Sequence, residues 1–194
     1  NLGIEVELVN KEWKTYLQDI DTLSYEVARA GWIGDYNDPM TFLDLSRSTD
    51  GNNDRGYKSE VFDAMLDEAS DQLAEWVEEG GTLVRFAGPR MAATASDDPL
   101  LPVDLRLGER TLGGSLSWTE PQPVAPFPET GPFSGLDAPR EVSVNRQVLA
   151  EPDLELAAHT WANLADGTPL VTGDSRGKGA IVLFHVTAEA TWSN

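Results

Sequence analysis

A short stretch after residue 30 carries the side chains best suited to binding chemistry. The run Tyr25–Trp32 is predicted to be a strand that ends in a Gly-Trp step, and Asp35 follows in an acidic loop that ends at Pro39. Open α/β sheets bind ligands at the carboxyl ends of parallel strands. Trp32 offers a rigid apolar wall with one N–H donor, and a partly buried Asp35 would form a charge-assisted hydrogen bond to an ammonium group. The alternative is structural, with Trp32 in the core and Asp35 capping the next turn.

A second motif, Gly173-Asp174-Ser175-Arg176-Gly177, has the G-x-S-x-G pattern of a hydrolase nucleophile elbow. The elbow requires a strand before the serine, a helix after it, and then an acid and a histidine further along the chain. Here a strand-like run, Ala180–Val186, follows the motif and contains His185. The context therefore favours a tight hairpin, and a serine hydrolase acting through Ser175 stays as a third hypothesis.

The two histidines, His159 and His185, both lie in strand-like runs, and no cysteine or recognisable carboxylate pair accompanies them. A lone histidine on a sheet favours a structural or surface role over a catalytic or metal-binding one. We therefore expect no enzymatic activity, no metal and no cofactor.

Composition narrows the possible partners. The chain has 194 residues, and 14 Lys and Arg against 33 Asp and Glu give it a formal charge of −19. Such a charge opposes binding to nucleic acid or to anionic lipid. A hydrophobic fraction of 40% allows a real core, and the absence of cysteine rules out disulfides and thiolate chemistry. We find no run of about 18 apolar residues that would span a membrane, and no signal peptide opens the chain.

The two ends of the chain differ in composition. All four tyrosines lie in the first 57 residues, eleven of the twelve prolines follow residue 88, and Lys178 is the one lysine after Lys58. This shift predicts two segments, 1–70 and 71–194, packed separately or as one domain.

The first segment is predicted to form a β-α-β unit. Ile4–Val9 alternates apolar and acidic residues as a half-buried strand does, and the apolar residues of Lys11–Ile20 have helical spacing. With Tyr25–Trp32 as the second strand, the two strands would pair in parallel.

A helix with Ser59 as its N-cap, ended by Gly80-Gly81, is predicted to cross the division. The strand Thr82–Ala87 follows, and the rest is β-rich with proline-rich connections. We therefore predict an α/β fold with a mixed sheet. The later strand-like runs are Val103–Leu107, Thr111–Trp118, Glu141–Leu149, Leu154–Trp161, Leu170–Thr172 and Ala180–Val186, with the turn Gly173–Gly179 between the last two.

Residues 2–68 resemble the periplasmic oligopeptide-binding proteins, the extracytoplasmic receptors of peptide ABC importers. The resemblance covers about a third of this chain and a fragment of one lobe of such a receptor. It is carried by Leu8–Leu17 (LVNKEWKTYL), Tyr25–Trp32 (YEVARAGW), Asp35–Pro39 (DYNDP) and Tyr57–Ser59 (YKS).

This resemblance implies a peptide site and a location. Asp35 would pair with the peptide's α-ammonium group, Trp32 would line a side-chain pocket, and the backbone around Ile33 would bond to the peptide main chain. Ile33 stands where some members of the family carry a cysteine, so any disulfide of the family is absent. Short peptides would be the ligands, an ABC permease the partner, and the periplasm or another extracytoplasmic space the location.

Residues 72–194 are similar to the soluble region of a bacterial membrane-protein family with a glutamine-amidotransferase-like, flavodoxin-like fold. Enzymes of that fold use a Cys-His-Glu site, and this chain has no cysteine, so the resemblance implies the fold without the activity. Contact with a membrane would come only through flanking segments. The resemblance is carried by Leu73–Phe86 (LAEWVEEGGTLVRF), Gly179–Ala188 (GAIVLFHVTA) and Trp192–Asn194 (WSN).

The sequence therefore resembles a hybrid of two fragments, of natural or engineered origin, and supports two main hypotheses. The first is a non-enzymatic module that binds peptides weakly, because only part of one lobe is present. The second is a structural or interaction scaffold of the amidotransferase-like type, membrane-associated through its family, with no small-molecule ligand.

Overall fold

The computed structural model describes residues 3, 5–31, 39–88, 91–92, 98–106, 115–188 and 192. Its N-terminal part is helical and irregular. It contains helix α1 (Trp13–Asp21), helix α2 (Met40–Leu43), a 3₁₀ turn (Asp44–Ser46) and the long helix α3 (Glu60–Glu78). The predicted mixed α/β class is confirmed, because strands follow α3 in two separate sheets.

The predicted β-α-β unit is wrong for the residues that the structure describes. Glu5–Val9 and residues 25–31 are irregular on either side of α1, and Ile4 and Trp32 lie outside the described residues. Leu8 is 90% exposed and Val27 is 92% exposed. A strand needs a neighbour for its backbone groups and an apolar cover for one face, and the sheets of this chain contain neither segment.

Helix α3 forms as predicted. The Ser59 side chain accepts a hydrogen bond from the Phe62 N–H (3.2 Å) and so caps the first turn. Gly80 ends the helix with a φ of 128°, a conformation that glycine tolerates best. Leu66 and Val77 are buried, whereas Met65 remains 62% exposed. The helix therefore buries one apolar stripe and leaves a second one open.

The main sheet has four strands, β1 (Thr82–Phe86), β4 (Thr160–Asn163), β5 (Pro169–Arg176) and β6 (Gly179–Phe184). Their order in the sheet is β1-β6-β5-β4. β1 and β6 are parallel, and the other two pairs are antiparallel. The predicted hairpin between the last two strands is confirmed with a shorter turn, because only Gly177 and Lys178 separate them.

A second sheet pairs β2 (Ser115–Pro123) with β3 (Ser143–Val148) in antiparallel fashion. Its continuation closes one edge of the main sheet. An isolated bridge joins Val124 to Leu164, and the Ala125 N–H donates to the Asn163 carbonyl (2.9 Å). The far side of β4 is thus covered by the chain that leaves β2.

Two predicted strands after residue 100 differ in the structure. Leu154–Trp161 begins as helix α4 (Leu156–His159), and only Thr160 and Trp161 of that run belong to β4. Asp153 explains the helix, because its carboxylate accepts the N–H groups of Glu155 (2.6 Å) and Leu156 (2.7 Å). Of the predicted strand Val103–Leu107, the described residues form a single bridge, from Leu105 to Ala150.

The core lies between α3, the main sheet and the second sheet. One buried cluster joins Val77 of α3 to Leu100 and to Ile181 of β6. Another includes Leu183 of β6 and Val148 of β3. A third and larger cluster lies at the β4–β5 end of the main sheet. It consists of Val144, Ala162, Leu164, Leu170, Val171, Val182 and Val186.

Candidate functional site

The predicted ligand residues Trp32, Ile33 and Asp35 lie outside the described residues, which leave a gap at 32–38. The structure describes the two flanks of this gap, which end at Gly31 and begin again at Pro39. The contacts that hold these two flanks are therefore the part of the candidate site that the structure describes.

Hydrogen bonds from two tyrosine hydroxyls hold the first flank, the residues before the gap. The Tyr16 hydroxyl of α1 donates to the Arg29 carbonyl (2.9 Å). The Tyr25 hydroxyl donates to the Asp54 carbonyl, which lies beyond the gap. The residues before and after the gap are thus linked by side-chain hydrogen bonds, although neither flank belongs to a sheet.

The second flank is fastened to α3. The Ser48 N–H donates to Asp63 Oδ1 (3.0 Å), and this backbone hydrogen bond lowers the pKa of the Asp63 carboxyl. An Arg47 guanidinium nitrogen lies 2.6 Å from Asp67 Oδ1, one turn further along α3. The Ser59 N–H donates to Ser48 Oγ (3.1 Å). Residues 47–59 are therefore held on the first half of α3.

Asparagine and arginine side chains close this loop on itself. The Asn53 amide donates to the carbonyls of Arg47 (3.2 Å) and Tyr57 (2.5 Å). Arg55 donates to the Leu45 carbonyl (3.1 Å) and to Ser46 Oγ (2.9 Å). No group of three or more His, Asp or Glu side chains in the described parts of the chain could hold a metal ion.

Asp44 of this loop interacts electrostatically with two other carboxylates, Asp50 and Asp98. Burial raises the pKa of Asp44, and repulsion from Asp50 and Asp98 adds to the effect, whereas Arg47 opposes it. Arg85 of β1 donates to Asp98 Oδ2 (2.7 Å). Residues on both sides of the predicted division therefore share one electrostatic environment.

The G-x-S-x-G motif is not a nucleophile elbow. Ser175 lies in β5 opposite Ala180 of β6, and no helix follows the Gly177-Lys178 turn. Successive side chains of a strand point to opposite faces of the sheet. Asp174 therefore lies on the opposite face from Ser175, and the hairpin interpretation is confirmed.

His185 has a structural position. It is 0% exposed. Its Nδ1–H donates to the Val148 carbonyl (3.0 Å), so Nε2 accepts from the Thr172 hydroxyl (3.0 Å). Burial lowers the pKa of His185 to about 4, against an opposing contribution from the hydrogen bond to Val148. The neutral ring thus links β3 of the second sheet to β5 and β6 of the main sheet.

His159 lies on the surface at the end of α4. Its Nδ1 is 3.2 Å from the Gly173 carbonyl and 3.8 Å from Asp174 Oδ1. The carboxylate of Asp174 also accepts a hydrogen bond from Arg176 of the same strand. This arrangement neutralises surface charge, and it does not bring His159 together with His185 or with the residues around the 32–38 gap.

Sequence reasoning missed how β1 is held at its two ends. Besides Asp98, Arg85 bonds to the Leu100 carbonyl (2.8 Å), so it anchors the connection after β1. At the opposite end of β1, the Ala180 N–H of β6 donates to the Gly81 carbonyl (3.1 Å). The position of Arg85 as the one charged residue in the apolar strand β1 was the sequence signal that could have indicated its contacts with Asp98 and Leu100.

Comparison with known proteins identifies one part of the chain. No protein-family profile matches it. The periplasmic murein peptide-binding protein MppA of Escherichia coli is 44% identical over 72 residues. The oligopeptide-binding protein OppA of Bacillus subtilis is 41% identical over 73 residues, and the periplasmic OppA of E. coli is 46% identical over 68 residues.

These matches cover 35 to 37% of this chain and 12 to 13% of the relatives. The chain thus spans only a small fraction of the length of the curated relatives that it matches. About a third of the chain is homologous to oligopeptide-binding proteins, as the resemblance of residues 2–68 implied.

The solved structure of the cytoplasmic protein STM1381 from Salmonella typhimurium LT2 has a similar fold. The TM-score is 0.50 at 14% sequence identity, and the match covers 82% of this chain and 61% of that one. This likeness concerns the fold alone. None of the helices that the structure describes is long and apolar enough to cross a membrane.

Proposed function

We propose that this chain is a non-enzymatic module that binds short peptides through the segment carrying Trp32, Ile33 and Asp35. Asp35 receives the α-ammonium group, Trp32 forms an apolar wall, and the backbone at Ile33 bonds to the peptide main chain. The observation that carries the proposal is the 41 to 46% identity, over 68 to 73 residues, to proteins named for binding oligopeptides or murein peptides.

Weak affinity is part of the proposal. The apolar side chains of the homologous segment are largely uncovered, with Val6 71% exposed and Trp13 66% exposed. Among the described residues of this segment only Ile20 and Leu66 are buried apolar side chains, and the loop before α3 is held to that helix through polar contacts of Arg47 and Ser48. A ligand held by such a segment remains accessible to water, so its ion pair with Asp35 is partly screened.

Calorimetric titration with a tripeptide tests the proposal. Wild type should bind a tripeptide that has a free amino terminus, and Asp35→Asn should weaken binding by about tenfold, as expected from losing a charge-assisted hydrogen bond. Asp21→Asn is the matched control, because Asp21 is an exposed carboxylate at the end of α1. Equal binding by wild type and Asp35→Asn, or equal binding of the acetylated tripeptide, contradicts the proposal.

The second candidate is a structural or interaction scaffold with an amidotransferase-like, flavodoxin-like fold and a membrane-associated setting. Two features that cross the division at residue 70 favour it, since α3 runs through residue 70 as one continuous helix and the carboxylate of Asp44 interacts with that of Asp98. This candidate predicts one cooperative unfolding transition that peptides do not shift. Two separate transitions would count against it.

Location and partners follow from whichever candidate holds. A peptide-binding role favours the periplasm or another extracytoplasmic space, because MppA and the E. coli OppA are periplasmic by name. An ABC permease is then the expected partner. Fractionation of cells that express the chain from its own gene would separate this location from the cytoplasm.

A further inference from the structure

Among the described residues, no strand pairs with the outer side of β1, so one edge of the main sheet is open. The N–H of Ala87 donates to Phe184, and the carbonyl of Gly81 accepts from Ala180, so both residues turn their backbones toward β6. Alternate residues of a strand direct their backbone groups to opposite sides. Within β1, Thr82, Val84 and Phe86 therefore direct three N–H and three C=O groups away from the sheet.

This open edge contrasts with the opposite one. The far side of β4 is covered by the bridge from Val124 to Leu164. In the part of the chain that the structure describes, no backbone group bonds to the outward groups of β1. Val84 in the middle of the edge is 48% exposed. An edge of this kind accepts an extended chain by strand addition.

The two faces beside the edge differ in chemistry. Thr82, Val84 and Phe86 share one face, where the ring of Phe86 stacks on Phe184 with 5.2 Å between the centroids. This face is apolar and partly open. An added strand would place every second side chain against it.

On the other face Leu83 packs against the buried cluster of Val77, Leu100 and Ile181, and charged groups surround Arg85. Arg85 points to that face, but Asp98 already neutralises it at 2.7 Å. Asp44 interacts with both Asp50 and Asp98, and Arg47 offsets part of this negative charge. An added strand would place its remaining side chains toward these carboxylates, so lysine or arginine is favoured there.

We infer that the outer edge of β1 is a second peptide-binding site, which takes an extended chain with alternating apolar and basic residues. The backbone of the ligand bonds to Thr82, Val84 and Phe86, its apolar side chains lie on the Val84 face, and its basic side chains face the carboxylate of Asp44 beside the Arg85–Asp98 pair. A net charge of −19 on the chain attracts such a ligand and repels a second copy. This site is independent of the proposed site around Asp35.

The test uses two pentapeptides with acetylated and amidated ends, Lys-Val-Lys-Val-Lys and Glu-Val-Glu-Val-Glu, titrated into the full chain by calorimetry. The basic peptide should bind about tenfold more tightly, and the preference should shrink when salt shortens the Debye length from about 30 to about 3 Å. The blocked amino terminus removes the group that Asp35 would bind. Asp35→Asn should therefore leave this binding unchanged, which separates the two proposals.

The variant Val84→Pro removes one outward N–H and should weaken binding of the basic peptide by about tenfold. Proline is tolerated where the N–H of an edge strand faces solvent, and circular dichroism checks the fold. Val84→Thr keeps the N–H and should bind within about twofold of wild type. A basic peptide N-methylated at alternate residues provides the same test on the ligand, and one of the two methylation patterns should abolish binding.

Three results would overturn the inference. These are equal binding of the basic and acidic peptides, unchanged binding to Val84→Pro, and unchanged binding of both N-methylated peptides. A fourth concerns another occupant. If Val84→Pro converts a dimer to a monomer and peptide binding stays the same, a second copy of the chain occupies the edge.

Discussion

Acidification should destabilise this protein through His185. The ring is neutral and fully buried, and its pKa falls from 6.5 to about 4 on folding. The unfolded chain therefore binds a proton that the folded chain does not accept between these values, so stability declines as the pH falls through this window. At about 1.4 kcal/mol per pH unit, the full shift corresponds to about 3 kcal/mol, of which about 2 kcal/mol is lost between pH 7 and pH 5.

Urea unfolding at pH 7 and at pH 5 measures this loss. Wild type and His159→Gln should lose about 2 kcal/mol, because only His185 is buried, whereas His185→Gln should lose far less. Keeping the pH at 5 or above excludes Asp63 and Asp166, whose lowered pKa values act only in stronger acid. Should His185→Gln fail to fold, the histidine ring resonances of wild type provide the check. Titration of the His185 ring near pH 6.5, or an equal loss in His185→Gln and wild type, would refute the reasoning.

Two further substitutions test the packing of β5 against Trp161 and the ion pair of Arg85 with Asp98. In Gly173→Ala the new methyl group would lie 2.2 Å from the Trp161 ring, so we expect about 1–3 kcal/mol of destabilisation in urea unfolding, the usual effect of overpacking. In Arg85→Met the bond to Asp98 is lost, and we expect a decrease of about 1–2 kcal/mol in the free energy of unfolding because the pair is mostly shielded from water.

Each substitution has a matched control in the chain. A methyl group at Gly51 meets nothing within 4 Å, so Gly51→Ala should change stability by less than about 0.5 kcal/mol. Arg106 Nε lies 3.8 Å from Glu151 Oε2, and both side chains are about half exposed. Arg106→Met should therefore lower the free energy of unfolding by less than about 1 kcal/mol. If either control matches its test variant, the corresponding contact is not the cause.

Local signals predicted the elements that carry their own stabilisation. Helix α3 has a capping serine, helical spacing and a glycine stop, and the β5–β6 hairpin has its glycine turn within the chain. Helix α4, by contrast, was predicted as a strand although Asp153 provides a local signal for its start. Its carboxylate caps the first turn of α4, a short-range hydrogen bond that the apolar run Leu154–Trp161 conceals.

The pattern alone could not show that the described N-terminal segments are irregular. Alternation of apolar and polar residues indicates a strand only if a sheet is present for the segment to join. Glu5–Val9 alternates as a strand does, yet Leu8 is 90% exposed and the segment is irregular. The end of the predicted strand and the acidic loop indicated Trp32 and Asp35 as candidates, the resemblance to a larger family gave them specific roles, and these remain predictions. The open edge of β1 was not predictable either, since the order of strands in a sheet depends on contacts distant in sequence.

The length of helix α3 sets the orientation of the N-terminal loop relative to the main sheet. Its first half holds the loop through Asp63 and Asp67, and its last turns pack on the sheet through Val77. Each residue of an α-helix advances the direction of its side chains by about 100°. Inserting one residue near Ser70 would swing the loop carbonyls and carboxylates about a quarter turn away from Asp98, whereas seven added residues would nearly restore the direction. The helix is about 28 Å long. Only insertions that complete whole turns would keep the loop at its start and the sheet at its end in their present relative orientation.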